Sequence, residues 1–141
     1  MLDTPITYGL NSVTDVSLSI QKRPADFSAT RFYFEVNIEQ KVDEQKGIMV
    51  TFCDVNITEE GKDFQLVKFV MGCSFLITDF STHIKKDENG VFDVPDILSK
   101  QLTMITISTA RGCLYEKLRG TYLNKAYLPI IMVDEMQKVE K

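Results

Sequence analysis

Between Val13 and Ile77, apolar and polar residues alternate in four separate segments. After Pro95 that period of two gives way to spacings of three and four. Alternation places successive side chains on opposite faces of a strand, whereas the longer spacing lines one face of a helix. Strands grouped ahead of helices argue for an α+β fold built on a meander-type antiparallel sheet. At 141 residues, the chain (residues 1–141) fits a single domain with one core.

The segments differ in quality. Residues 13–21 alternate Val16, Leu18 and Ile20 with Asp15, Ser17 and Ser19, which predicts a strand with one buried face. A polar stretch around Pro24 follows, with Phe27 as its only large apolar residue. That connection is long enough to cross over the sheet rather than form a tight hairpin. Residues 31–42 give the cleanest strand, with Phe32, Phe34, Val36 and Ile38 on one face and charged or polar residues on the other. Residues 47–57 carry Ile48, Val50 and Phe52 on one parity but Val55 and Ile57 on the other. This third strand therefore either contains a bulge or is covered on both faces. Residues 64–77 are apolar on both parities, so the second face of the sheet is expected to meet a helix, another subunit or a ligand.

Residues 78–94 read as a polar connection containing Asn89-Gly90. Pro95 suits the first turn of a helix, and Asp93 and Asp96 favour the positive end of its dipole. Lys117 and Arg119 suit the negative end, and Gly120 can stop the helix. Between them, five of the seven residues from Thr103 to Thr109 are β-branched, a composition that favours strands. The end signals predict one long helix in spite of it. Val133, Met136, Gln137 and Glu140 then suit a short amphipathic helix beyond Pro129.

Composition narrows the function classes. The net charge of −4 argues against general nucleic-acid binding, which needs a basic surface. No apolar run approaches the roughly 20 residues that span a bilayer. The N-terminus shows no signal-peptide pattern, so a cytoplasmic protein is expected. One histidine, His83, and three widely spaced cysteines, Cys53, Cys73 and Cys113, give no metal-binding spacing, and no cofactor is expected. A cysteine nucleophile would need a base beside a thiol, and only His83 is on hand, so no enzyme is expected.

The segment ARGCLYEKLRGTYLNKAYLPI carries a resemblance. Ala110, Arg111 and Cys113, then Arg119, Gly120, Thr121 and Tyr122, then Pro129 resemble the C-terminal region of the bacterial protein-export chaperone SecB. Asp15-Val16-Ser17-Leu18 resembles the first strand of that family, and MGCSFLI its glycine-containing fourth strand. The resemblance implies a four-stranded antiparallel sheet followed by one long and one short helix. It further implies dimers paired through sheets and helices, two of which form a tetramer. The implied activity is ATP-independent holding of unfolded polypeptide clients for delivery to the SecA motor. Asp15 keeps one acidic position of the motor-docking surface, while two others fall at Ser19 and Lys68. The likeness is therefore to a SecB-like chaperone rather than to the export factor itself. Some chaperones of this kind serve toxin–antitoxin systems.

A holding chaperone needs apolar contact without sequence readout, which aromatic and methionine side chains provide. The candidates are Phe27 in the crossing loop, Phe34, Val36 and Ile38 in the second strand, and Leu128, Met132 and Met136 near the C-terminus. Phe34, Val36 and Ile38 suit a core more than a groove, and Met132 and Met136 equally suit a helix interface. Burying roughly 500 Å² of client apolar surface yields on the order of 12 kcal/mol. Ordering a client of about ten residues costs about 1–2 kcal/mol per residue. Single segments should then bind weakly, and affinity should come from several grooves on one oligomer. An adaptor for one specific partner uses the same kind of surface, and composition does not separate the two.

Overall fold

The computed structural model describes residues 5–28 and 31–131. Four long strands come first: β1 (Tyr8–Ile20), β2 (Phe32–Asp43), β3 (Ile48–Glu59) and β4 (Gln65–Ile77). They form one antiparallel sheet in the order β1-β4-β3-β2. Strands β2 to β4 are the expected meander. The crossing connection carries β1 to the far side of β4, so the order is a Greek key entered from its other end rather than a pure meander.

The β2–β3 register runs without interruption from Phe32↔Glu59 to Asp43↔Ile48. The mixed parity of β3 therefore comes from apolar residues on both of its faces and not from a bulge against β2. Met49, Thr51, Cys53, Val55, Ile57 and Glu59 are buried on one face; Val50 and Phe52 are half-buried on the other. In β4, Val67, Phe69, Met71, Cys73, Phe75 and Ile77 continue the buried face.

Strand β1 corrects two expectations. It begins at Tyr8, five residues before the alternation becomes legible, because Gly9, Asn11 and Ser12 blur the pattern. A register shift between Asp15 and Ser17 then takes Val16 out of the ladder. An extra residue reverses the parity that follows it. Asp15 thus pairs with Met71 and Leu18 with Phe69, on the same face of the sheet, and the strand is exposed everywhere but at its ends.

Residues 78–94 hold more order than a polar connection. Phe80–His83 form a single helical turn, α1, and Lys85–Lys86 pairs with Phe92–Asp93 as a small hairpin, β5 and β6. Phe80 and Ile84 are buried and anchor this excursion to the core.

The long helix α2 spans Asp96–Leu118, as its end signals predict. Its β-branched centre is accommodated because the hydroxyls of Thr103, Thr106 and Thr109 donate to the carbonyls of Ser99, Leu102 and Ile105, each at 2.8 Å. Leu98, Leu102, Ile107, Ala110, Leu114 and Leu118 face inward. Gln40 ties the first turns to the sheet, donating to the Ser99 carbonyl at 3.2 Å and accepting from Ser99 Oγ at 2.6 Å. Arg119 turns extended where the helix ends, and Gly120, at φ 85°, supplies the positive φ of the turn that follows, which the Thr121 N–H closes onto the Leu118 carbonyl at 3.0 Å. The short amphipathic helix expected from Val133 to Glu140 lies outside the described residues.

Candidate functional site

A helix about 10 Å across covers about two strands spaced at about 4.8 Å. Helix α2 packs on β3 and β4, the two central strands. A four-stranded sheet is wider than that, so an apolar flank remains on each side of the helix.

The flank along β1 is the more open. Leu10, Val13 and Leu18 pair with Phe75, Cys73 and Phe69, and so share the face on which the helix lies. They are nevertheless 55%, 43% and 39% exposed. Two polar bridges span this flank. Tyr8 Oη donates to Gln101 Oε1 at 2.9 Å, and Lys117 Nζ lies 2.7 Å from Asp15 Oδ2. Asp15 therefore stands in an ion pair with the helix, and its carboxylate holds the Lys117 ammonium above the usual lysine range.

Along β2, Phe34, Val36 and Ile38 are half-buried and pack against the core from the same face. Leu128, expected at a client groove, is buried in the core cluster. Met132 and Met136 lie outside the described residues.

Phe27 is placed differently from the expectation of a free aromatic in a polar loop. It is only 8% exposed. Its ring sits 5.0 Å from Tyr122, edge to face, and 6.1 Å from Phe32, with the Arg23 guanidinium 5.5 Å above it. The loop that carries it is fastened on both sides. Tyr122 Oη donates to the Gln21 carbonyl at 2.6 Å. Ser28 donates to Glu59 Oε2 from its backbone N–H at 2.9 Å and from its hydroxyl at 2.7 Å. Lys62 Nζ bridges Glu59 at 2.8 Å and Asp26 at 3.1 Å. These bonds, from Lys62 first and then Ser28, bring the Glu59 carboxyl down to about 2. A signal for this cluster was present in the spacing of Glu59 and Lys62, but nothing in the sequence shows that Ser28 comes to meet them.

The residues of the ARGC and RGTY motifs shape the end of α2. Ala110 is buried. Arg111 Nε donates to the Leu128 carbonyl and Nη2 to the Pro129 carbonyl, both at 3.0 Å, holding the returning chain against the helix. Thr121 Oγ1 donates to the Leu118 carbonyl at 2.7 Å and accepts from the Leu123 N–H at 3.0 Å. Arg119 pairs with Glu116 at 2.8 Å. Cys113 is half-buried on the helix, and burial raises its thiol, as it raises Cys73 and takes Cys53 up to about 12.

No family model matches the sequence, and no curated protein does. The structure matches that of the SecB-like chaperone of Mycobacterium tuberculosis, solved in complex with a ChAD peptide from the HigA1 antitoxin. The sequences are 11% identical, the match covers 89% of this chain and 90% of that one, and the TM-score is 0.55. The chain has the SecB-like fold. Within the SecB-like fold, the motif residues of α2 and its exit belong to the framework, and the two flanks of the helix are apolar surfaces beside it. Among the described residues no group of side chains could hold a metal ion, and no helix is long and apolar enough to cross a membrane.

Proposed function

We propose that the chain is an ATP-independent holding chaperone of the SecB-like kind, working in the cytoplasm on non-native polypeptide. The carrying observation is the pair of apolar flanks beside α2, on a fold shared with a chaperone solved with a peptide. Extended client segments lie along these flanks. Phe34, Val36 and Ile38 supply contact on the β2 side, and Met132 and Met136, which lie outside the described residues, are assigned the same role from the sequence; Leu128, buried in the core, is not.

The chain works as a dimer or a tetramer. Strand β1 is a 13-residue edge with Leu10, Val13, Val16 and Leu18 exposed. An edge of that kind pairs with another chain unless it is guarded. A second copy satisfies it, and the resulting oligomer sums several weak grooves. Docking to SecA is not favoured: at one of the replaced acidic positions Lys68 pairs with Asp54 at 3.4 Å. A cysteine nucleophile is not favoured. All three thiols are shifted upward, opposite to what a cysteine nucleophile needs.

One observation favours a narrower reading. The matched chaperone holds a peptide from one antitoxin, so a partner-specific adaptor on the same fold is the alternative. Light scattering of several unrelated denatured proteins, diluted with and without this protein, separates the two. Suppressed aggregation of all of them is expected. Protection of only one establishes the adaptor, and protection of none overturns the chaperone.

A further inference from the structure

We infer that a groove between α2 and the returning chain is a further binding site, which takes the C-terminal aromatic residue of a polypeptide, its ring against Tyr115 and Tyr127 and its carboxylate on Arg111. The site uses neither the β1 flank nor Phe34, Val36 and Ile38. It therefore goes beyond the chaperone reading and is tested separately from it.

The groove has a volume of about 410 Å³ and is lined by Ser108, Arg111, Gly112, Tyr115, Tyr127 and Leu128. Tyr115 and Tyr127 make an aromatic wall: their ring centroids are 6.2 Å apart and their planes 25° apart. The two residues are 50% and 58% exposed, so the wall is open to a third ring. Aromatic rings stack offset at such separations, and another ring extends the stack.

Arg111 supplies the charge. Its Nε and Nη2 donate to the Leu128 and Pro129 carbonyls, both at 3.0 Å. These bonds fix the plane of the guanidinium and leave Nη1 without a partner among the described residues, where no carboxylate pairs with Arg111 either. A charge met only by neutral carbonyls favours an anion, and a planar carboxylate matches the planar guanidinium.

Gly112 supplies the room. It is exposed in the interior of α2, and a Cβ added there would meet nothing within 4 Å. A glycine inside a helix is less stable than alanine, and no contact among the described residues calls for one. With Ser108 one turn before it, Gly112 keeps the floor of the groove low. The groove is open rather than enclosed. Small-molecule sites bury most of their ligand, whereas an open groove covers one residue of a longer chain. The carboxylate requirement marks that residue as the last.

The test uses the full chain and peptides of about ten residues, labelled with fluorescein at the N-terminus and read by anisotropy. One ends in phenylalanine with a free carboxylate, one is the same peptide amidated, and one ends in alanine. The free-acid phenylalanine peptide should bind about tenfold more tightly than either of the others. Gly112→Leu fills the groove and should melt no lower than the unaltered protein, because leucine is the better helix former. It should bring the three peptides to one affinity. Tyr127→Ser, at an exposed position, should do the same, and it decides the matter if Gly112→Leu fails to melt cooperatively. Equal affinity for acid and amide in the unaltered protein overturns the site, as does an acid preference that survives both variants. Binding of 3-phenylpropionate as tight as that of the peptide assigns the groove to free aromatic acids and overturns the chain end. Each of these results leaves the chaperone standing, because suppression of aggregation does not depend on this groove.

Discussion

Glu59 shows how one side chain can set the state of a loop. It is buried at the end of β3 and satisfied by Ser28 and Lys62, so its ionised form is held by the folded chain and by nothing in the unfolded one. Its carboxyl falls from 4.5 to about 2 on folding. Between those values the unfolded chain binds more protons than the folded one, so stability rises with pH there. The contribution of Glu59 is complete above about pH 4.5 and is lost as pH falls through about 2. Acid titrations followed by circular dichroism should therefore show a steeper loss of stability in this window for the unaltered protein than for Glu59→Gln. Superimposable curves would remove Glu59 from the acid response. Phe27, by contrast, is a residue whose sequence context misleads. Its neighbours are polar because they face the rim of the loop, while the ring alone turns inward.

Among the elements, α2 is where local preference and packing pull apart. A run of β-branched residues at its centre favours extended backbone, yet Leu98, Leu102, Ile107, Ala110, Leu114 and Leu118 are all buried by the helix. Burial of those side chains outweighs the propensity difference, and the threonine hydroxyls keep their hydrogen bonds by returning them to the helix. The exit from α2 depends on Arg111, whose planar fork reaches two successive carbonyls of the returning chain. Replacing it with alanine leaves those carbonyls to water and frees the segment around Leu128. Arg111→Ala should lower stability by about 1–2 kcal/mol, and Arg111→Lys should recover only part of it, because an ammonium cannot fork. Thermal melts measure both. Full recovery by lysine would mean that charge, not geometry, holds the segment. Strand β1 was the least legible element, and for a physical reason. An edge strand exposed on both faces is under little pressure to alternate, and its register shift at Val16 inverts the parity of what alternation remains.

At the scale of the whole molecule, the decisive quantity is width. One helix covers two of four strands, so the protomer leaves apolar strips that a holding chaperone or a partner subunit can use. The β1 strip carries an edge as well as a face. Light scattering coupled to size exclusion should give the mass of a dimer or a tetramer. Val13→Lys with Leu18→Lys should shift it to a monomer without loss of helix signal, because both residues are exposed in the protomer. A monomeric parent protein would place β1 outside any subunit interface.

The sequence by itself determined the order of the four long strands and the long helix, the clean β2 strand, the ends of α2 and the RGTY helix exit. These depend on neighbours within a few residues: alternation, capping, dipole charge and a glycine that can take positive φ. They also sufficed for the resemblance that the fold bears out. Only the tertiary structure decided that β1 lies beside β4, that Asp15 meets Lys117 and that Ser28 meets Glu59. It also decided that Phe27 is packed rather than free. Each of these joins residues far apart in the chain, through pairings that depend on how the whole sheet is assembled. Local periodicity carries no term for such contacts.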